Sequence, residues 1–469
     1  EHPAFSQYAK VDEIPFDFSR KMMSVVVKTP DNVHRLICKG APEEVYKRCV
    51  SFARDGKLFP MDHVIPADLK KEFDKLSADG FRVLALAFRD VAPQPAYSKA
   101  DERDLILRGY VAFLDPPKDT ARSAIAALHG HGVSVKVITG DNELVSQKIC
   151  KEVGIATDRM LLGNQVEQMS DVELANAAAS ATLFARMSPA HKQRTIKVLQ
   201  GAGHVVGFMG DGINDAPALH TADVGISVDT AVDIAKESAD VILLEKDLLV
   251  LNEGVLEGRK VFANILKYIR MGASSNFGNM FSVLGASIFL PFVPMIPIQI
   301  LTNNLLYDFS QVPIPTDDVD AEQIARPRPW AMNAISRFIL LIGPCSSIFD
   351  YTTFFVMLYL FGCWDPARAS LFQTGWFVES LLTQTLIIHV IRTNRIPFLQ
   401  SWASWPLIVT TASIMFVGAW LPYSPVGPAL GFTPLPALYW PVLAVTLIAY
   451  VLLTQAAKSW LFRQGWVTE

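Results

Sequence analysis

The sequence predicts an α/β half joined to an all-α helical membrane bundle. Three observations carry this: the distribution of charge, a strand–helix rhythm, and apolar runs of membrane length. Up to about Lys246 charged residues recur every few positions. From Met271 to Thr316 the single charged residue is Asp308, and from Ile396 to Ala457 there is none. A bilayer span needs about 20 mainly apolar residues, so each stretch has room for two spans. At 469 residues two or three domains are expected, divided as 1–112, 113–250 and 251–469.

Residues 1–112 read as a mixed α/β module. Val25–Lys28 and Val33–Lys39 are β-rich runs joined by Pro-Asp-Asn, a hairpin signal. Pro42 opens a helix to about Cys49, and a second helix from about Asp68 to Ala78 stops at Gly80 before the strand Arg82–Arg89. From Leu114 to about Glu245 short apolar strands alternate with helical segments. The strands are Val133–Ile138, Leu183–Arg186, Val205–Met209, Val224–Val228 and Val241–Leu244. Repeated βα units predict a parallel sheet covered on both faces, with ligands at the carboxyl ends of its strands.

A charged helix is expected from Lys246 to Arg270, followed by six spans near 271–290, 298–313, 338–361, 372–391, 405–421 and 439–457. Arg326, Arg328 and Arg337 share one loop, Arg392 and Arg395 another, and Lys458 and Arg463 follow the last span, whereas the alternate loops carry only Arg368. That asymmetry places the α/β half and the carboxy terminus in the cytoplasm. A net charge of −4 and the absence of any Lys/Arg-rich run give no sign of nucleic-acid binding. The five cysteines form no CxxC pair, which fits a reducing cytosol and speaks against a zinc site. The start at Glu1-His2-Pro3, with neither methionine nor signal peptide, is expected of a piece of something longer.

The strongest motif is Gly210-Asp211-Gly212-Ile213-Asn214-Asp215-Ala216-Pro217-Ala218-Leu219. It sets two carboxylates at a strand end, among glycines that let backbone approach a phosphate. Such a pair suits Mg²⁺, which takes oxygen ligands and shares phosphate oxygens. An Asp-Gly turn capping a helix is the plainer reading. Thr139-Gly140-Asp141 is by itself a common strand-end turn, and Lys192 by itself a solvated helix lysine.

In order, Asp115-Pro116-Pro117-Lys118, Thr139-Gly140-Asp141, Phe184-Ala185-Arg186 with His191-Lys192, and Asp211 resemble the phosphorylation domain of P-type cation-transporting ATPases, whose fold is haloacid-dehalogenase-like. The resemblance implies that Thr139 holds phosphoryl oxygens, Lys192 offsets charge, Asp211 binds Mg²⁺, and Asn214 and Asp215 support it. The resemblance also implies that Gly140 and Asp141 belong to this catalytic site, and that Arg186 is among the residues that bind ATP. Phosphoryl transfer needs this kind of positioning and positive charge. Phe16-Asp17-Phe18-Ser19-Arg20-Lys21 and Lys39-Gly40-Ala41-Pro42-Glu43 resemble the family's nucleotide-binding domain. ATP is therefore expected at Phe18, Lys21, Lys39 and Arg82. Read without that context, Phe18 is a core residue and Lys39 a solvated strand lysine. The family's Asp-Lys-Thr-Gly-Thr and Thr-Gly-Glu motifs do not occur in the sequence. The upstream half of such a pump, with four further spans, is the expected partner, and alone this chain is not expected to turn over ATP.

Asn276, Asn279, Asn304 and Asp308 interrupt the first two predicted spans. An ionised Asp at the bilayer centre costs about 2.5–3.5 kcal/mol by insertion scales, so it needs a partner or a role. Asparagines also join helices through hydrogen bonds, and that reading stays open. Two polar faces on adjacent spans favour a converging oxygen cage for a transported ion. One charge with amide oxygens favours Mg²⁺ over Ca²⁺. Ser275 to Asn279 and Asn303 to Gln311 resemble bacterial magnesium-transporting (magnesium-importing) members, which implies an inner-membrane location, whereas calcium pumps carry a glutamate where Asn279 stands. A calcium or other cation pump, and a membrane-anchored phosphatase or nucleotide-binding regulator, remain alternatives. Asp350 and Glu379 are further intramembrane acids, unranked by the sequence.

Overall fold

The computed structural model describes residues 7–17, 20–61, 64–245 and 247–464. It divides into two compact units, Glu1–Asn252 and Glu253–Glu469.

The first unit opens with strands β1 (Ala9–Asp17), β2 (Met22–Lys28), β3 (His34–Gly40), β4 (Cys49–Arg54), β5 (Lys57–Pro60), β6 (Phe81–Val91) and β7 (Leu105–Leu114), with helices α1 (Pro42–Tyr46) and α2 (Val64–Ala78) between them. They form one seven-stranded mixed sheet, β1-β2-β3-β6-β7-β4-β5, in which only β4 and β7 run parallel. Alternation decides its faces: Met22, Ser24 and Val26 of β2, Leu36 and Cys38 of β3, and Val83, Ala85 and Ala87 of β6 are all buried. The Pro-Asp-Asn signal is a tight hairpin, closed by the Thr29 N–H donating to Val33 O at 2.8 Å, with Asn32 at φ +66°. The sequence pattern predicts no strand at β1, β4, β5 or β7: charged residues interrupt β1, Arg108 and Gly109 interrupt β7, and β4 and β5 are only six and four residues long.

After β7 come α3 (Ala121–Gly130), β8 (Val137–Ile138), α4 (Glu143–Glu152), β9 (Met160–Leu162), α5 (Gly163–Gln168), α6 (Asp171–Ser180), β10 (Leu183–Ala185), α7 (Pro189–Gly201), β11 (Gly207–Met209), α8 (Ala216–Thr221), β12 (Val224–Val228), α9 (Asp233–Glu237) and β13 (Val241–Leu243). All pairings here are parallel, but the strands form two sheets, β8-β10-β9 and β11-β12-β13, instead of the single sheet expected. Two expected strands are shorter, and a helix closes at the first residue of one and just before the other. The Val133 N–H donates to Leu128 O at 2.9 Å past Gly132 (φ +75°), and the His204 N–H to Leu199 O at 3.2 Å past Gly203 (φ +87°). Both are left-handed glycine stops of the kind that close helices.

The second unit is helical: α10 (Leu248–Phe289, 42 residues, most of them in this unit), α11 (Pro297–Gln311), α12 (Ala321–Ile324), α13 (Met332–Phe355), α14 (Ala369–Ile391), α15 (Trp405–Trp420) and α16 (Tyr439–Arg463). Among the described residues, four helical stretches are long and apolar enough to cross a membrane: Met332–Leu360, Pro366–Ile391, Trp405–Tyr423 and Tyr439–Arg463. Of the six expected spans, the first two fall short of that measure. Asn276 and Asn279 dilute the apolar part of α10, and α11 has only 15 residues. Helix α14 packs against α11, α13, α15 and α16 and is buried almost throughout. Helices α10 and α13 meet along small residues: a Cβ on Gly278 would lie 2.1 Å from Ser346 Oγ, and one on Gly285 would lie 1.8 Å from Tyr351 Oη.

Candidate functional sites

The register of the seven-stranded sheet brings the expected nucleotide residues to one end. Met22 pairs with Gly40 and Gly40 with Ala85, so Lys21, Lys39 and Arg82 all lie within a few residues of that line. Lys39 stands opposite Met23 and Leu86 on the less buried face, where Arg82 pairs with Phe113 and Leu84 with Val111. Phe113 is 50% and Val111 40% exposed, so an apolar surface carries basic side chains at its end. Lys21 sits at φ +52° and its carbonyl accepts from the Ala41 N–H at 2.9 Å. Gly40 makes this approach possible, since a Cβ there would lie 2.5 Å from Met22 Cβ and 2.7 Å from Lys21 O. The preceding turn is held by buried Arg20, which pairs with Glu102 and donates to Pro15 O at 2.8 Å. Phe18, expected as the stacking face, lies outside the described residues.

Two strand ends carry the remaining motifs. Beyond β8, the Thr139 carbonyl accepts from the Met187 N–H and the Asp141 carbonyl from the Arg186 N–H, both at 2.9 Å, locking this loop to the end of β10. The Asp141 N–H donates to Thr139 Oγ1 at 3.1 Å, and Arg82 reaches Asp141 at 2.9 Å. At Gly140 a Cβ would meet Met187 O at 3.4 Å, an ordinary contact. Arg186, at φ +56°, forks between Glu143 of α4 and Glu43 of α1, the latter at 3.1 Å. Beyond β11, Lys192 of α7 donates to Asp215 at 2.7 Å, both side chains mostly buried. Gly210 is required here, because a Cβ would fall 2.5 Å from Asp215 Cβ. Asp211 is exposed, and among the described residues its carboxylate has no hydrogen-bond or ion-pair partner; Asn214 is half-buried beside it. Thr139 and Asp141 therefore form one cluster, and Lys192 and Asp215 another. No hydrogen bond or ion pair joins Thr139 to Asp211. Among the described residues no three His, Cys, Asp or Glu side chains converge as a metal cage. An outward-facing carboxylate beside a paired lysine and glycine backbone fits a Mg²⁺ that shares its ligands with phosphate.

In the helical unit a cavity of about 180 Å³ is lined by Tyr268, Gly272, Asn276, Asn304, Tyr307, Asp308 and Gln311. It brings three of the four expected ion ligands together. Asn279 is not among them: its Oδ1 accepts from Gln384 Nε2 of α14 at 3.0 Å. Three residues along a helix turn a side chain by about 300°, so Asn276 and Asn279 diverge by roughly 60°, whereas Asn304 and Asp308 differ by about 40°. A wider, mostly apolar cavity of about 620 Å³ shares Tyr268, Asp308 and Gln311 with the first and extends to Asn264 and Pro315.

The family model described as P-type ATPase, cytoplasmic domain N, matches residues 4–120, and the one described as cation transporting ATPase, C-terminus, matches residues 292–460. The chain is 53% identical over 463 residues to "Magnesium-transporting ATPase, P-type 1" of Escherichia coli (strain K12), covering 98% of this chain and 52% of that protein. The chain belongs to the P-type cation-transporting ATPases. A protein of the same name from Salmonella typhimurium (strain LT2) is 53% identical over 462 residues, with 98% and 51% covered. "Endoplasmic reticulum calcium ATPase srcA" of Aspergillus fumigatus is 37% identical over 311 residues, with 62% and 32% covered. The chain thus spans about half the length of the magnesium-transporting relatives it matches.

The P-type ATPase nucleotide-domain match contains Phe18, Lys21, Lys39 and Arg82, and the C-terminal match contains Asn304 and Asp308. Several site residues escaped the sequence reading. Glu43 and Glu143 hold Arg186, and both were visible, the first inside Lys39–Glu43 and the second two residues past Asp141. Gln384, the partner of Asn279, lies more than a hundred residues away and had no local signal.

Proposed function

We propose that this chain is the carboxy-terminal part of an ATP-driven magnesium pump of the bacterial inner membrane, working through an aspartyl-phosphate supplied by its upstream half. The supporting observation is the meeting of Asn276, Asn304 and Asp308 in one cavity, in a chain that is 53% identical to magnesium-transporting relatives along nearly its whole length. A single carboxylate among amide oxygens suits an ion that keeps part of its hydration, which favours Mg²⁺ over Ca²⁺ as cargo.

In this reading residues 1–112 bind ATP, residues 113–250 form a haloacid-dehalogenase-like phosphorylation domain, and residues 251–469 contribute six spans with the soluble part on the cytoplasmic side. Lys21, Lys39 and Arg82 hold the nucleotide against the open sheet face, with Phe18 stacking on its base. Thr139, the Gly140 backbone and Lys192 surround the transferring phosphoryl group, while Asn214 and Asp215 orient Asp211. Asp211 would hold a Mg²⁺ that offsets charge on the phosphate oxygens. Asp215 keeps Lys192 extended toward the strand end, and the Arg82–Asp141 and Arg186–Glu43 pairs tie the nucleotide face to the phosphoryl loop.

The test is ATP-dependent Mg²⁺ movement in vesicles containing the complete polypeptide that carries this chain. Accumulation of Mg²⁺ requiring ATP supports the reading. Transport of Ca²⁺ with no movement of Mg²⁺ would replace the ion, and ATP binding without movement of any cation would favour a regulator.

A further inference from the structure

Arg20 and Lys21 lead into β2, and Lys21 does so in a strained conformation. It carries a side chain, yet its φ of +52° lies in the left-handed region. Such a residue stays there only when its surroundings hold it, and strained residues of this kind gather at ligand sites. The Lys21 backbone is tied on both sides. Its N–H donates to Asp17 O at 2.7 Å, and its carbonyl accepts from the Ala41 N–H at 2.9 Å.

A third anchor comes from a distant part of the chain, the connection between β6 and β7. Glu102 in that connection is 2% exposed, and its carboxylate serves two partners. One oxygen accepts from Ser24 Oγ of β2 at 2.7 Å, and the other forms an ion pair with Nη1 of Arg20. Arg20 is itself 8% exposed and donates through Nη2 to Pro15 O of β1 at 2.8 Å, so its charge is turned into the domain. Lys21, the next residue, is exposed. The same connection touches the turn again, because Lys99 pairs with Asp17, which also lies 3.7 Å from Arg20 Nε. It is a braced piece of chain: the Ser98 N–H donates to Asp101 Oδ2 and the Tyr97 N–H to Asp12 Oδ2 of β1, both at 2.8 Å.

We propose that Glu102 is a positioning residue of the nucleotide site, holding Lys21 through Arg20 in the place where it meets a nucleoside triphosphate. This rests on the reading that Lys21, Lys39 and Arg82 hold ATP. Taking two charges out of water costs about as much as their attraction returns, so the buried pair contributes geometry more than stability. Geometry set before binding raises affinity without adding a contact to the ligand. Glu102 is closed off from solvent and acts only through its neighbours. Without its carboxylate the Arg20 guanidinium turns toward water, the turn loosens, and Lys21 leaves its left-handed conformation.

The experiment is the ATP dependence of ATPase activity in the complete polypeptide that carries this chain, reconstituted in lipid. Glu102→Gln keeps an acceptor for Ser24 and removes the charge that holds Arg20. It is expected to raise KM for ATP on the order of tenfold, the effect of releasing one strained backbone conformation, with kcat at saturating ATP unchanged. Val26→Ala is the comparison, since Val26 is buried in the same strand and its truncation lowers the thermal midpoint while sparing the turn. Its KM is expected to stay at the wild-type value. The double substitution Arg20→Met with Glu102→Met leaves no charge unpaired and is expected to fold with a raised KM, so the result does not hang on the stability of Glu102→Gln. A wild-type KM in either folded Glu102 variant, or an equal rise in Val26→Ala, overturns the proposal. Lys39→Ala separates the two levels. A raised KM there beside an unchanged KM in Glu102→Gln removes the positioning role alone, and an unchanged KM in both removes the nucleotide assignment with it.

Discussion

At the scale of single residues, Gly210 and Gly212 look alike in the sequence but differ in consequence. A Cβ at Gly210 would overlap Asp215 Cβ at 2.5 Å, whereas one at Gly212 would meet Asp215 Oδ2 at 3.4 Å, an ordinary contact. Gly210→Ala is therefore expected to push Asp215 off Lys192 and cost about 1–3 kcal/mol, the usual range for overpacking. Gly212→Ala is expected to stay within about 0.5 kcal/mol, as for substitutions that disturb no packing. Denaturant titration of both variants beside the wild type checks the difference, and equal losses would show that the loop relaxes around either methyl. Asp211 makes a separate prediction. Its carboxylate carries no structural partner among the described residues, so Asp211→Asn is expected to leave the midpoint of unfolding unchanged while abolishing phosphoenzyme formation in the complete polypeptide. A variant that is destabilised instead would mark Asp211 as a structural turn residue.

At the scale of elements, the decisive contacts join strands and helices distant in sequence. Arg186 at the end of β10 reaches Glu143 at the start of α4 and Glu43 of α1. Burial pushes the Glu143 carboxyl up, but the hydrogen bond and charge of Arg186 outweigh it and hold the group below its ordinary value. A carboxylate depressed by folding stabilises at neutral pH, and that contribution disappears as pH falls through its folded-state value. The loss belongs below the ordinary glutamate range of about 4.3. Arg186→Gln is expected to lower the thermal midpoint at pH 7 and to flatten its fall on acidification. A pH profile parallel to the wild type would show that Arg186 does not set the Glu143 charge. These contacts also show what the sequence made legible. Thr139-Gly140-Asp141 and Gly210-Asp211-Gly212 were readable because glycines and carboxylates at strand ends have a local pattern. The Arg186 fork was not, because only the tertiary approach of α1 and α4 to β10 creates it. The strand start at Val133 was misplaced for a related reason: after the left-handed Gly132 the Val133 N–H is spent on closing a helix, and before Val205 the same closure falls on His204, after Gly203.

At the scale of the whole molecule, the second unit gathers polar atoms from helices that local reading treats separately. The sequence grouped Asn276, Asn279, Asn304 and Asp308, but the fold turns Asn279 to Gln384 and leaves the other three around one cavity. This redistribution separates two substitutions that look equivalent. Asn304→Asp adds a charge at the cavity wall, one helical turn from Asp308, and is expected to shift preference toward Ca²⁺, the larger and more readily dehydrated cation. Asn279→Asp adds its charge beside the Gln384 amide and is expected to disturb the packing of α10 on α14 while leaving ion preference unchanged. Asp308→Asn is the critical variant. A carboxylate supplies net charge that replaces part of an ion's hydration, whereas an amide supplies only a dipole. Asp308 is exposed at the cavity, so its removal is not expected to unfold the unit. The measurement is ATPase activity of the reconstituted complete polypeptide, titrated with free Mg²⁺ at fixed MgATP, for the wild type and these three variants. Loss of Mg²⁺ stimulation in Asp308→Asn with unchanged ATP binding, together with a Ca²⁺ response in Asn304→Asp alone, assigns the cavity to the cargo. Equal Mg²⁺ curves for wild type and Asp308→Asn would make the cavity a packing feature and move the search for the ion site to other polar side chains of the bundle.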